Sequence, residues 1–276
     1  MKRLSICVIS GSRSEYGLLR PLLQNLNKNE KFNLQLIVTG SHLSNEFGMT
    51  IREIENDEFK IDKKIEVLLS SDTKIGISKS VGLGLISFSE ALSDLAPDLI
   101  IILGDRYEIF AAAISSMILN IPIAHLHGGE LTFGAIDDAF RHCITKISNI
   151  HFASNSEYSK RIVQMGEDPK NVFNVGALGV ENIMKLKRLN KRELEQKLKF
   201  KFLKKNLMIT FHPETLSETS NKKQIKELLE ALFEFKNTLM IFTMPNADND
   251  SRIIIKSIEE FVSKSSNSVY FKNLGT

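Results

Sequence analysis

The stretch DLIIILGDRYEIFAAAISSMILNIPIAH, residues 98–125, decides the fold. Asp98–Leu103 is apolar on both faces, as a strand in the middle of a parallel sheet must be, and Gly104 ends it. Ile109–Ile118 reads as a small-residue helix and Ile121–His125 as the next strand. Strand, helix and strand in that order make a βαβ unit and hence a parallel sheet. The alternation continues outward in both directions. Before it come strand Leu4–Ile9, ended at Gly11, helix Tyr16–Leu26, and strand Leu34–Val38, closed by Gly40. After it come helix Asp137–Ile147 and short strands at His151–Ala153 and Val172–Val175.

Between Lys185 and Lys205 lie ten basic residues against Glu193 and Glu195, a local +8 in a chain whose net charge is +3. Such a run is open to nucleic acid or an acidic membrane surface, but no aromatic platform or recognition helix accompanies it. A solvated helix and linker is the simpler reading, with no nucleic-acid partner and no membrane. Beyond it the alternation restarts with strand Leu207–Phe211, helix Lys222–Phe235, strand Leu239–Thr243, helix Ser251–Ser263 and strand Val269–Phe271. The expected architecture is therefore α/β, with two Rossmann-like doubly wound domains: residues 1–184, a basic crossing at 185–205, and 206–276. The second is expected to be incomplete, since 81 residues from Gln196 onward are short for such a domain and end at a strand-to-loop junction.

Composition excludes several classes. With 42% hydrophobic and 25% charged residues among 276, the chain is neither low-complexity nor collagen-like nor largely disordered. No uninterrupted apolar run approaches the ~20 residues of a membrane span. The start imitates a signal peptide, yet its apolar run, Leu4–Ser10, is seven residues, and Arg13 and Glu15 follow without a small-residue cleavage site. Cys7 and Cys143 are the only cysteines, which supports neither a disulfide framework nor a zinc site and suits a reducing cytoplasm. The turn after the first strand is GSRSEYG rather than G-x-G-x-x-G, and there is no Walker A, H-E-x-x-H or G-x-S-x-G.

In an open parallel sheet, ligands bind beyond the carboxyl ends of the strands. The first strand delivers Ser12, Arg13, Ser14 and Glu15, and the second Ser41 and His42. The central strand delivers Asp105, Arg106 and Glu108. The next delivers His125, His127 and Glu130, with Asp137, Asp138, Arg141 and His142 close behind. The second domain contributes His212, Glu214, Asn246 and Asp248. Each has an alternative. Arg13 either holds a phosphate at a helix N-terminus or pairs with Glu15. Asp105 and the Asp137–Asp138 pair are acid–base groups or helix caps. His125 and His127 share one face of an alternating strand, which suits a metal only with a third ligand, or else they are hydrogen-bonded structural histidines. His212, before Pro213, is a ligand group or an ordinary strand-end residue.

The motifs GSRSEYG (11–17), VTGSH (38–42), GDRYEIFAAA (104–113), HLHGGE (125–130), IDDAFRHCITK (136–146) and FHPET (211–215) together resemble the hydrolysing UDP-N-acetylglucosamine 2-epimerases. The resemblance runs through spacers such as SEYSKRIVQMGEDPKNVFNVGALGVEN (156–182) and implies the glycosyltransferase-B architecture. It further implies a cytoplasmic homodimer that needs no metal and no nicotinamide and takes a UDP-sugar. The implied reaction is anti elimination of UDP across C1 and C2, giving a 2-acetamidoglucal, then addition of water to release N-acetylmannosamine for sialic acid synthesis. Carried over by position, Arg13 faces the diphosphate, and Asp105 and Asp137 are acid–base carboxylates. Glu130 and His212 line the sugar side, and Arg106, Arg141 and His142 support them. Ser14, His42 and Asn246 complete the expected substrate-binding set. Some members carry a catalytic glutamate where this chain has His127, so either His127 or Glu130 does that work. The first turn has Ser14 after Arg13, where non-hydrolysing relatives typically have proline. Family members continue with a Gly-Asn-Ser-Ser-type diphosphate loop beyond residue 276, so these 276 residues alone are expected to turn over slowly or not at all. The same reaction on UDP-N,N′-diacetylbacillosamine, and a non-catalytic nucleotide-sugar-binding role, are the alternatives.

Overall fold

The computed structural model describes residues 3–186, 188–216, 219–272 and 274. The chain divides into two compact units, one of residues 1–71 and 75–185, the other of 72–74 and 186–276.

The first unit alternates as the sequence implies. Strand β1 (Leu4–Ser10) is followed by α1 (Arg13–Lys28), β2 (Phe32–Thr39), a 3-10 turn (Gly40–Leu43), α2 (Ile51–Asn56), β3 (Lys63–Ile65) and α3 (Lys74–Leu95). Then come β4 (Leu99–Leu103), α4 (Tyr107–Ile118), β5 (Ile123–Leu126), α5 (Asp137–Ile147), β6 (Ile150–Ala153), α6 (Ser156–Gln164), β7 (Val172–Asn174) and α7 (Leu178–Lys185). The strands form one parallel sheet in the order β3-β2-β1-β4-β5-β6-β7. The order reverses between β1 and β4, the position at which open parallel sheets form their ligand crevice.

Alternation along each strand serves two cores. Cys7, Ile9, Ile37, Ile100, Ile102 and Ile123 face Phe88 and Leu92 of α3, Ile109 and Ala111–Ala113 of α4, and Ile144 of α5. Ile6, Val8, Leu36, Val38, Ile101 and Leu103 face Tyr16, Leu19, Leu23 and Leu26 of α1 and Ile51 and Ile54 of α2. Residues 100–103 are thus aliphatic because they bury on both sides of the sheet.

Helix α3 departs from the sequence reading, which assigned no element to residues 74–95. At 22 residues it is long and apolar enough to cross a bilayer by length and composition alone. Its Phe88, Ala91 and Leu92 instead bury against the sheet, and a Cβ on Gly84 would stand 2.8 Å from the Ala111 Cβ of α4.

The second unit begins with α8 (Lys191–Leu198), inside the stretch read as a basic crossing, where Asn190 and Glu193 form a reciprocal capping box. Strand β8 (Lys205–Thr210), α9 (Asn221–Phe233), β9 (Thr238–Thr243), α10 (Ser251–Lys264) and β10 (Ser268–Phe271) follow. Their strands pair in parallel in the order β10-β9-β8. Ile225, Leu229, Met240, Phe242, Ile254 and Ile258 fill the space between helices and sheet. Residue 273 and residues 275–276, within the junction where the sequence reading ended, lie outside the described residues.

Candidate active site

The crevice between β1 and β4 is bounded by Ser12–Glu15 and Gly104–Glu108. Ser12 caps α1, its hydroxyl accepting from the Glu15 N–H at 3.4 Å and lying 3.0 Å from the Ser14 hydroxyl. Arg13 opens the helix, one-third exposed and 3.4 Å from Glu53. Ser14 is exposed. A cation and two hydroxyls at a helix N-terminus favour an anionic group.

Across the crevice, Asp105 accepts from the Arg141 guanidinium of α5. The same guanidinium nitrogen donates to the Thr132 hydroxyl at 2.9 Å, and the Thr132 N–H donates to Asp138 at 2.7 Å. The loop between Glu130 and Asp137 is thereby tied to Asp105. Arg141 is buried, Asp105 keeps 19% of its side chain exposed, and Asp137 is half-buried at the first turn of α5. His142 stands 3.6 Å from Asp138.

His125 and His127 do not share a strand face. β5 ends at Leu126, and His127 turns into the left-handed region at φ +64°. His125 is fully buried, with Nε2–H donating to the Gly104 carbonyl at 2.7 Å and Nδ1 3.2 Å from the Thr145 hydroxyl. Burial lowers its pKa to about 4, so the ring is neutral. It fixes the turn before Asp105 to the helix that carries Arg141. His127 instead points Nδ1 at Glu130, 3.2 Å away, while its Nε2 accepts from the Leu178 N–H at 3.4 Å. The Ser154 hydroxyl donates to the same Glu130 oxygen at 2.6 Å. Burial opposes ionisation of Glu130, but the bonds from His127 and Ser154 outweigh it and hold the carboxyl below its ordinary range. The arrangement is an imidazole–carboxylate dyad, oriented by a hydroxyl that sequence reasoning missed. Among the described residues no group of three metal-ligating side chains occurs.

Other expected rim residues lie underneath. His42 is fully buried, with Nε2 2.9 Å from the Ser10 hydroxyl and Nδ1 2.8 Å from that of Thr50. Burial takes its pKa to about 4. Both nitrogens are engaged, so His42 supports the β1 and β2 ends from within rather than contacting a ligand directly. Arg106 is largely buried and donates from Nε to Glu108 at 3.0 Å, 5.3 Å above the Tyr107 ring. Glu15 and Glu108 are buried too, so not all the carboxylates of the list reach the rim. In the second unit, exposed His212 follows β8 and half-buried Asn246 follows β9.

The family model for UDP-N-acetylglucosamine 2-epimerases matches residues 24–276. The chain belongs to that family. It is 45% identical over its whole length to the GDP/UDP-N,N′-diacetylbacillosamine 2-epimerase (hydrolyzing) of Campylobacter jejuni, of which it covers 72%. It is 44% identical over 93% of its length to polysialic acid biosynthesis protein P7 of Escherichia coli, covering 66% of that protein. The chain therefore spans about two thirds of the length of these relatives. Among solved structures, the UDP-GlcNAc 2-epimerase of Neisseria meningitidis bound to UDP-GlcNAc superposes with a TM-score of 0.76 over 98% of this chain and 72% of its own, at 18% identity. That likeness places the epimerase fold on this chain.

Proposed function

We propose that this chain carries the acid–base face of a hydrolysing 2-epimerase acting on UDP-N-acetylglucosamine. The observation that carries the reading is the Asp105–Arg141 pair facing the capped start of α1 across the β1/β4 crevice. Arg13 and the α1 N-terminus balance the charge of the departing diphosphate. A carboxylate takes the proton from C2 as the C1–O bond breaks, so UDP leaves and a 2-acetamidoglucal remains. Asp105, paired with and aimed by Arg141, and Asp137 are the carboxylates for this step. The His127–Glu130 dyad is placed to direct water to C1 as C2 is reprotonated, yielding N-acetylmannosamine.

The mechanism has an isotopic signature. In D2O the N-acetylmannosamine formed carries deuterium at C2, because the glycal is reprotonated from solvent. Product without deuterium at C2 eliminates the mechanism. Glu130→Gln removes the charge that orients His127, and we expect kcat to fall roughly 10²-fold with KM little changed, within the usual range for acid–base groups.

The 45% identity to a bacillosamine epimerase favours a second reading, the same elimination on UDP-N,N′-diacetylbacillosamine. The ratio of kcat/KM for the two sugars decides between them. A homodimer acting in the cytoplasm belongs to the same proposal. Neighbouring α3 and α4 leave Ile86 and Ile118 exposed, apolar surface that a second copy would bury. Ile86→Asp with Ile118→Asp should then yield a monomer by light scattering; an unaltered mass refutes that surface.

A further inference from the structure

Beneath the Arg13 loop lie two carboxyl groups that the chemistry above does not use. Glu15, in the first turn of α1, accepts from the Gly11 N–H at 2.7 Å. Glu108, in the first turn of α4, accepts from Arg106 Nε at 3.0 Å. Both converge on the same peptide, because a Cβ placed on Gly11 would stand 2.7 Å from the Glu108 side chain, and one on Gly40 only 2.8 Å from Glu108 Oε1. Glu15 is 6% and Glu108 1% exposed, and Glu15 Oε1 and Glu108 Oε2 are both buried without a hydrogen-bond partner. Two adjacent buried carboxylates, each with an unsatisfied oxygen, cannot both carry full charge without a large desolvation cost.

We infer that Glu15 and Glu108 hold one proton between them, and that this singly charged pair, matched to Arg106, positions the loop Gly11–Ser14 and the Arg106 guanidinium for an anionic ligand. The charged groups facing Glu15 are Glu108 and Arg106, from the β4–α4 side. On the β2 side His42 packs under the same loop and is neutral. Burial, then the Glu108 charge, raise the Glu15 pKa to about 8, so Glu15 is the member that carries the proton at neutral pH. The pair joins the β1, β2 and β4 ends, the three strand ends that border the crevice. The positioning role rests on the nucleotide-sugar reading; the shared proton does not.

The glutamine variants are the natural test, since an amide copies a protonated carboxyl. Infrared difference spectra of the full chain between pH 6 and pH 9.5 should show a neutral carboxyl C=O band that titrates near pH 8. That band should vanish in Glu15→Gln and titrate at lower pH in Glu108→Gln, where Glu15 loses its like-charged neighbour but stays buried. Affinity for UDP, measured by calorimetry at pH 7, should stay within about threefold in Glu15→Gln and weaken at least tenfold in Glu15→Ala. Absence of the band in the unsubstituted chain, its survival in Glu15→Gln, or an unchanged midpoint in Glu108→Gln overturns the shared proton. Equal UDP affinities in Glu15→Gln and Glu15→Ala overturn the positioning role. A chain that binds no UDP but shows the expected band would sink the nucleotide-sugar reading and leave the shared proton standing.

Discussion

Asp105→Asn should release UDP from UDP-N-acetylglucosamine about 10²- to 10⁴-fold more slowly than the parent, with UDP affinity nearly unchanged. The substitution keeps the shape of the side chain and an oxygen for Arg141, and removes only the charge and the basicity. A positioned general base contributes ~10²–10⁴ in rate, or about 3–5 kcal/mol at 1.36 kcal/mol per decade. The structure sharpens this expectation because Arg141 is buried and spends one nitrogen on both Asp105 and Thr132. With a neutral amide in place of the carboxylate, the buried guanidinium loses its counter-charge, so some stability is lost as well. Arg141→Lys separates the two effects. It keeps a positive charge near Asp105 but cannot bridge to Thr132, so kcat should drop while the carboxylate retains a cationic neighbour. Turnover of Asp105→Asn within threefold of the parent, as read by coupled UDP detection, would remove Asp105 from the chemistry and with it the core of the proposed mechanism.

The sheet could be read from the chain because its central strand buries both faces, so no competing periodicity arises between residues 99 and 103. Elements without such a pattern escaped. β3 is three residues, two of them lysines, and pairs only with β2 at the sheet edge. α3 has its apolar residues spread around the helix and interrupted by Gly82 and Gly84, and it approaches α4 through small side chains rather than a stripe. At the site, the rule that ligands gather beyond strand ends found the right loops and could not sort their residues by depth. Spacing does not say whether a residue after a strand turns outward, as Ser14 does, or back under the loop, as Glu15 does one position later. Nor does it say that the backbone turns out of the strand at His127, which takes that residue off the face of His125 and gives it to Glu130. Ser154 and Thr145 complete these networks from other elements. Their only sequence signal was a hydroxyl just beyond β6 and one inside α5.

Gly40→Ala should lower the melting temperature by roughly 10 °C, far more than Gly104→Ala in the facing turn. Both glycines have positive φ, +59° and +75°, so an alanine at either costs about 1–2 kcal/mol in backbone conformation. They differ in what a methyl group would meet. At Gly104 nothing lies within 4 Å, whereas at Gly40 the new carbon would stand 2.6 Å from the Gly11 carbonyl oxygen and 2.8 Å from Glu108 Oε1. The first of these is backbone and cannot rotate away, and the second belongs to a side chain tied to Arg106. Overpacking of this kind costs about 1–3 kcal/mol more. The total for Gly40→Ala is then about 2–5 kcal/mol, and each kcal/mol moves Tm by about 2–4 °C in a domain of ~150–250 residues. Because the clash pushes on Gly11, the damage should also reach Arg13, so UDP affinity should fall in Gly40→Ala even at temperatures where the fold is intact. Thermal unfolding followed by circular dichroism, with UDP titrations at 15 °C, measures both. Equal melting temperatures for the two variants would show that the β1 and β2 loops are not packed tightly against Glu108, and the positioning of Arg13 from beneath would have to be abandoned.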